Sequence, residues 1–235
     1  MADLVTTTQK APSERALFIR RLFKRKTVAA GIIVLAVFAI LALLAPWIAP
    51  YSPSKLSIVN RLKPPSEMFW FGTDEFGRDV FSRTIYAGRL SLMVGAAVVV
   101  LSAIIGVTLG LLAGFFHRLD TPIARLIDAM MAFPDILLAI ALVAALGPSL
   151  ATVIVALSVV YAPRLARIVR ASTLVIRELP YVEAAQSLGI STFHIMTRHV
   201  LRNLISPIIV QCTFLFASAM LAEAGLSFPC LLYTS

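Results

Sequence analysis

Asp128 and Asp135 are the first residues whose type and spacing could do chemistry, because they lie seven apart at the edge of an apolar run. On one helix that spacing puts both carboxylates on one face, and carboxylates inside a membrane commonly relay protons or bind ions. Pro134 gives a plainer reading: proline suits the first turn of a helix, and Asp135 then sits where the helix dipole favours negative charge. Arg164, Arg167 and Arg170 recur every third residue, as in a voltage sensor, but arginines at the end of an apolar run also make a positive-inside flank. Cys212 and Cys230 have no metal-ligand spacing with His117, His194 or His199 and read as packing residues. No G-x-x-x-x-G-K-[ST] loop is present to cradle phosphates, and no nucleophile, base and oxyanion set stands out. The expectation is a non-catalytic chain with no metal or cofactor of its own, driven by another chain or by an ion gradient.

The elements that must position these groups are membrane helices. The chain of 235 residues is 59% hydrophobic and 14% charged, with mean hydropathy +0.90, far from the balance of a water-soluble domain. Nearly uncharged runs cover residues 28–48, 90–116, 129–146, 148–163 and 204–221. As a helix the first is about 31 Å long, enough to cross a hydrocarbon core. The fourth is short and is expected to continue through Arg164 and Arg167, whose long side chains can snorkel. The first run is too long for a signal-peptide core, and Pro46-Trp47 follows where small cleavage residues would stand. Trp47 and Tyr51 read as interface anchors.

Net charge is +9, and its placement predicts topology. Seven Lys and Arg residues precede the first run (Lys10 through Lys26) and six follow the fourth (Arg164 through Arg202), which places the N-terminus in the cytoplasm. The predicted organisation is a cytoplasmic tail over residues 1–27, a transmembrane domain over 28–228, and an anomalous tail over 229–235. Residues 50–89 form an extracytoplasmic loop, with Pro50, Pro53, Pro64 and Pro65 arguing against helix. Within it Gly72, Thr73 and Asp74 make a turn that caps a helix from about Asp79, an elbow before the second span.

Ser102, Gly106, Gly110 and Gly114 stand four apart and form a small-residue stripe for close helix packing, either inside one subunit or between two. Residues 177–202 read as an angled pair of short helices. Pro180 opens the first, Glu183 falls in its first turn, and Gly189 closes it. Ser191 is the expected N-cap of the second, which runs to about His199. Ala184 and Ala185 leave a shallow surface that suits a partner's groove. The same segment would suit a DNA-binding helix-turn-helix, but it is tethered to a span on each side and carries Phe193, Ile195 and Met196 in place of base-reading side chains.

Glu183-Ala184-Ala185 with Gly189 resembles the cytoplasmic coupling motif of ATP-binding-cassette (ABC) importer permeases. Phe71-Gly72-Thr73-Asp74-Glu75-Phe76-Gly77-Arg78-Asp79-Val80, with Ser82-Arg83 and Ser91-Leu92, is similar to the signature of the dipeptide, oligopeptide and nickel branch, in its C-type permease subunit. Ala45-Pro46-Trp47-Ile48-Ala49-Pro50 and Ala132-Phe133-Pro134-Asp135 match the same family. The resemblance implies an all-α polytopic membrane protein with the type I importer permease fold, showing five of six expected transmembrane helices. It implies residence in a prokaryotic plasma (inner) membrane, with a homologous second permease, two cytoplasmic ATPase subunits that bind the ATP and Mg, and an extracytoplasmic solute-binding protein. The expected cargo is a peptide or a nickel complex, moved by alternating access, and no nucleic acid is involved. A gradient-driven secondary transporter or channel is the alternative. Two departures stand out: Arg202 follows Leu201 where the family commonly has proline, and Pro229-Cys230-Leu231-Leu232-Tyr233-Thr234-Ser235 reads as a truncation or a frame error.

Overall fold

The structure is a computed structural model that describes residues 26–233, with side chains through residue 226. The tail charges from Lys10 to Arg25 and the side chains of the last residues, Cys230 included, lie outside the described residues. The described chain is helical, with one isolated antiparallel bridge and no strand. The described residues divide into two compact units, the first ending at Arg89 and the second beginning at Leu90.

In the first unit, α1 (Lys26–Leu43) is about 27 Å long, close to the thickness of a hydrocarbon core. Its apolar side chains are almost all exposed, Phe38 at 62% and Leu43 at 71%. A face of that kind is stable only against lipid or another protein. Leu44 interrupts the helix, and α2 (Ala45–Ile48) restarts with Pro46 in its first turn, where the missing N–H costs nothing. The proline-rich residues that follow hold one 3-10 turn, Ile58–Asn60, and the bridge between Thr73 and Asp79.

The expected elbow helix is not separate. One helix, α3 (Val80–Phe115), begins just after Asp79 and runs for 36 residues. The cap is Asp79 and not the Gly72-Thr73-Asp74 turn: the Ser82 N–H donates to Asp79 Oδ2 at 2.9 Å, which satisfies a backbone donor of the first turn. Elbow and span thus belong to one continuous helix.

The second unit continues from Leu90 through α4 (His117–Met131), α5 (Asp135–Leu146), α6 (Leu150–Arg177), α7 (Pro180–Ser187), α8 (Thr192–His194), a π turn (Ile195–Val200) and α9 (Leu201–Tyr233). Four described helices are long and apolar enough to cross a membrane, or five if α4 and α5 count as one bent span. The expected third span is broken: α4 and α5 meet at 91°. Pro134 has no N–H and disfavours helix at Phe133, and α5 alone, at about 18 Å, is too short to cross. Asp128 therefore belongs to α4 and Asp135 to α5, and the two do not share a helix face.

The fourth run extends as expected, farther than snorkelling would require. α6 has 28 residues and reaches Arg177, with Ser149 Oγ accepting from the Thr152 N–H at its start. It carries the core, with Leu157, Leu165, Val169 and Thr173 all fully buried. The small-residue stripe of α3 lies on it. Ser102 Oγ donates to the Ser158 carbonyl at 3.1 Å. A Cβ at Gly106 would sit 2.8 Å from the Ala162 oxygen, at Gly110 2.6 Å from Val169 Cβ, and at Gly114 2.5 Å from Thr173 Cβ. The stripe thus makes an intramolecular contact that only glycine permits.

Gly110→Leu is expected to lower the membrane level of the protein severely, since overpacking costs about 1–3 kcal/mol even where neighbours can yield and the groups met here are backbone and branched side chain. A Cβ at Gly31 would meet nothing within 4 Å, so Gly31→Leu should leave the level unchanged. Quantitative immunoblotting of membranes checks both, and equal levels would remove the stripe as a packing determinant.

Candidate functional site

α7 is a short helix with one anchored face and one free face. Pro180 stands in its first turn and Glu183 adds an acid there, both favourable at a helix start. Its end is a Schellman closure: the Gly189 N–H donates to the Gln186 carbonyl at 2.9 Å and the Ile190 N–H to the Ala185 carbonyl at 3.2 Å. Gly189 has φ +74°, the left-handed conformation this closure requires. A Cβ there would meet nothing within 4 Å, so a side chain at this position strains the turn without blocking it.

Val182 and Ala185 are buried, whereas Glu183, Ala184 and Gln186 are exposed and Leu188 is 80% exposed. Ala185 therefore does not belong to the shallow outer surface expected of it; its small side chain fits α7 into the core. The expected second helix is not separate either. Ser191 precedes α8 without making a side-chain cap, and the helical path continues through the π turn into α9. Asn203 Nδ2 donates to the Tyr181 hydroxyl at 2.9 Å, fastening α7 to the start of α9.

The arginines of α6 are paired. Arg164 reaches Asp135 of α5 at 2.8 Å, Arg167 pairs with Asp128 and Arg170 with Asp120, both on α4. Each rung joins α6 to a different turn of the bent pair α4–α5. Arg177 Nη1 donates to the Gly114 carbonyl at the end of α3 at 3.0 Å, and its Nε to Glu178 at 2.8 Å. A cleft of about 280 Å³, lined by Phe115, His117, Arg177, Glu178, Glu183 and Gln186, lies beside the free face of α7. The arrangement offers a helix with a free face for docking.

In the first unit, the loop around Asp74 is closed by its own hydrogen bonds. Asp74 Oδ1 accepts from the Phe76 and Arg78 N–H groups at 2.9 Å each, and Oδ2 accepts from Arg78 Nε at 2.8 Å and from Arg83. Thr73 Oγ1 accepts from the Lys63 N–H at 2.8 Å and donates to the Asn60 carbonyl. Gly72 (φ +73°) and Gly77 (φ +70°) make the turns, and a Cβ at Gly77 would lie 1.8 Å from the Ser57 oxygen. Burial pushes the Asp74 carboxyl up, but the amide and guanidinium of Arg78 and the amide of Phe76 outweigh it and hold the group below its ordinary value.

Residues 106–232 match the family described as the binding-protein-dependent transport system inner membrane component, and residues 13–65 match the N-terminal TM domain of oligopeptide transport permease C. The chain belongs to this family of transport permeases. A peptide transport system permease protein of Brucella suis is 50% identical over 212 residues, which is 90% of this chain and 72% of that protein. The dipeptide permease DppC of Alkalihalophilus pseudofirmus is 43% identical over 210 residues, 89% of this chain and 69% of that protein. The D,D-dipeptide permease DdpC of Escherichia coli is 39% identical over 197 residues, 83% of this chain and 66% of that protein.

Two features of the permease were not singled out from its sequence. Asp120 is the first, and its signal was the match in number between three acids flanking one apolar run and three arginines ending the next. Glu223 is the second: it is buried in α9, accepts from Ser91 Oγ at 2.9 Å, and is the lone acid in an otherwise apolar stretch.

Arg170→Asp should lower the thermal stability of the purified permease, and adding Asp120→Arg should recover at least half of the loss; no recovery would show that the rung is not a pair. For Asp74 the folded pKa is depressed, so its contribution is present above the ordinary 3.8 and is lost as pH falls through the folded value. Protease resistance of the loop should thus hold from neutral pH down to about 4 and fail below it. In Asp74→Asn it should be weaker and flat with pH.

Proposed function

We propose that this permease is the transmembrane subunit of an ATP-driven importer that moves di- or oligopeptides into the cytoplasm by alternating access, with α7 as its contact to a separate ATPase. The observation that carries the reading is a short helix with buried Val182 and Ala185 on one face and exposed Glu183 and Ala184 on the other, attached directly to two membrane helices. A force on its free face passes to α6 through the two-residue link Glu178-Leu179, and to α9 through Tyr181 and Asn203. The peptide cargo is inferred from relatives named for peptide and dipeptide transport.

This reading assigns no catalysis to the chain. ATP and Mg are bound by two ATPase partners on the cytoplasmic side, where the N-terminus also lies. A second permease completes the pathway, and a solute-binding protein delivers cargo near the loop built on Gly72, Thr73, Asp74, Gly77, Arg78 and Asp79. That loop is internally hydrogen-bonded, which suits a preformed docking platform. The ion pairs of Asp128 and Asp135 with α6 arginines give both acids a structural role, which weakens the gradient-driven alternative.

Ala184→Arg, in proteoliposomes holding both permeases, the ATPases and the binding protein, should lower ATP-dependent dipeptide uptake by roughly tenfold or more, as loss of a helix-in-groove contact would. Gly189→Arg should also impair uptake, by straining the left-handed turn. Normal uptake in Ala184→Arg with the complex intact would sink the assignment of α7. Uptake that persists without ATP and collapses with the proton gradient would favour the alternative.

A further inference from the structure

The start of α9 bears a feature that coupling does not use. Arg198 and Arg202 stand four residues apart, and below them Ile205 and Ile209 continue the same face. With Val107 of α3 and Leu201 they line an open groove of about 590 Å³ within the second unit. The groove is basic at one end and apolar along the rest. Among the described residues, neither Arg198 nor Arg202 has a hydrogen-bonding or ionic partner, whereas Arg164, Arg167, Arg170 and Arg177 all do.

We propose that this groove binds one anionic phospholipid, with its phosphate between Arg198 and Arg202 and an acyl chain along Ile205 and Ile209. The assignment of the leaflet as cytoplasmic rests on the importer reading above. A guanidinium fork matches phosphate oxygens in geometry and charge, and two of them on successive turns can hold one phosphate from two sides. Basic pockets between membrane helices on the cytoplasmic side recognise anionic headgroups on this principle. From Arg202 to Ile209 the helix rises about 10 Å, a third of a hydrocarbon core, so an apolar chain entering beside the arginines runs along isoleucine. Two arginines at one end and an apolar wall along the rest match a phosphate headgroup followed by an acyl chain.

The test is native mass spectrometry of the full chain purified in detergent, with equimolar dioleoyl phosphatidylglycerol and dioleoyl phosphatidylcholine. Phosphatidylglycerol should be retained in preference, and R198Q/R202Q should weaken its binding by roughly thirtyfold, the effect of about two cationic contacts near an anionic surface. Ile205→Trp, which fills the apolar wall, should reduce retention of both lipids. R118Q/R125Q, on exposed α4 positions away from the groove, should change nothing. Equal retention of the two lipids, or an unchanged preference in R198Q/R202Q, would overturn the proposal. So would crosslinking of Ile205→Cys to the second permease with loss of the lipid adduct, which would make the groove a subunit interface. The readout is lipid retention, not uptake, so a failure here leaves the role of α7 standing, and a failure of α7 leaves the lipid result interpretable.

Discussion

The close approach of α3 to α6 is the contact on which the second unit depends. In lipid there is no water to drive apolar faces together, so helices associate through packing and hydrogen bonding. Glycine at 106, 110 and 114 lets α3 come within van der Waals range of the α6 backbone, and Ser102 adds a hydrogen bond at one end of the stripe. α6 also packs against α5, α4 and α9, which makes it the hub of the unit. Its end then sets the position of α7, because Arg177 is tied to the last turn of α3 and only Glu178 and Leu179 separate it from Pro180.

Charge on such a hub needs partners. Desolvating a guanidinium is costly, and the carboxylates that answer the α6 arginines come from helices that bend across it. The rungs differ in exposure: Arg167 and Asp128 are the most open and Arg170 and Asp120 the most enclosed. Exposed pairs add little stability, so the open rung serves mainly to orient α4. The enclosed one resists separation, since breaking it would strand a charge. Three spaced contacts thus tie the bent helix pair to the hub.

The first unit solves a different problem. Its loop holds several prolines and little regular structure, so backbone groups that would pair in a helix must find side chains. Asp74 serves two amides and two guanidinium groups, Thr73 bridges two backbone positions, and Asp79 caps α3. These few polar residues order the loop together with the buried Phe69 and the aromatic contacts of Tyr51, Trp70 and Phe71.

What the amino-acid sequence by itself determined follows from local backbone physics. Long apolar runs specify membrane helices, and Pro180 and Gly189 mark the ends of α7 because proline suits a first turn and glycine a left-handed closure. The Gly72-Thr73-Asp74 turn predicts a helix start near Asp79, though not that Asp79 is the cap, and the glycine period announces a close contact without naming its partner. Only the tertiary structure decided that this partner is α6, that Ala185 turns inward while Ala184 faces out, and that Asp120, Asp128 and Asp135 answer Arg170, Arg167 and Arg164. It also decided that the chain bends by 91° before Asp135 and runs unbroken from Thr192 into α9. The helix pairing and the ion pairs depend on residues 29 to 59 positions apart, as in Asp135 with Arg164 and Gly114 with Thr173. A local pattern fixes where a helix starts and stops, but the direction in which its side chains find partners is set by whatever packs against it.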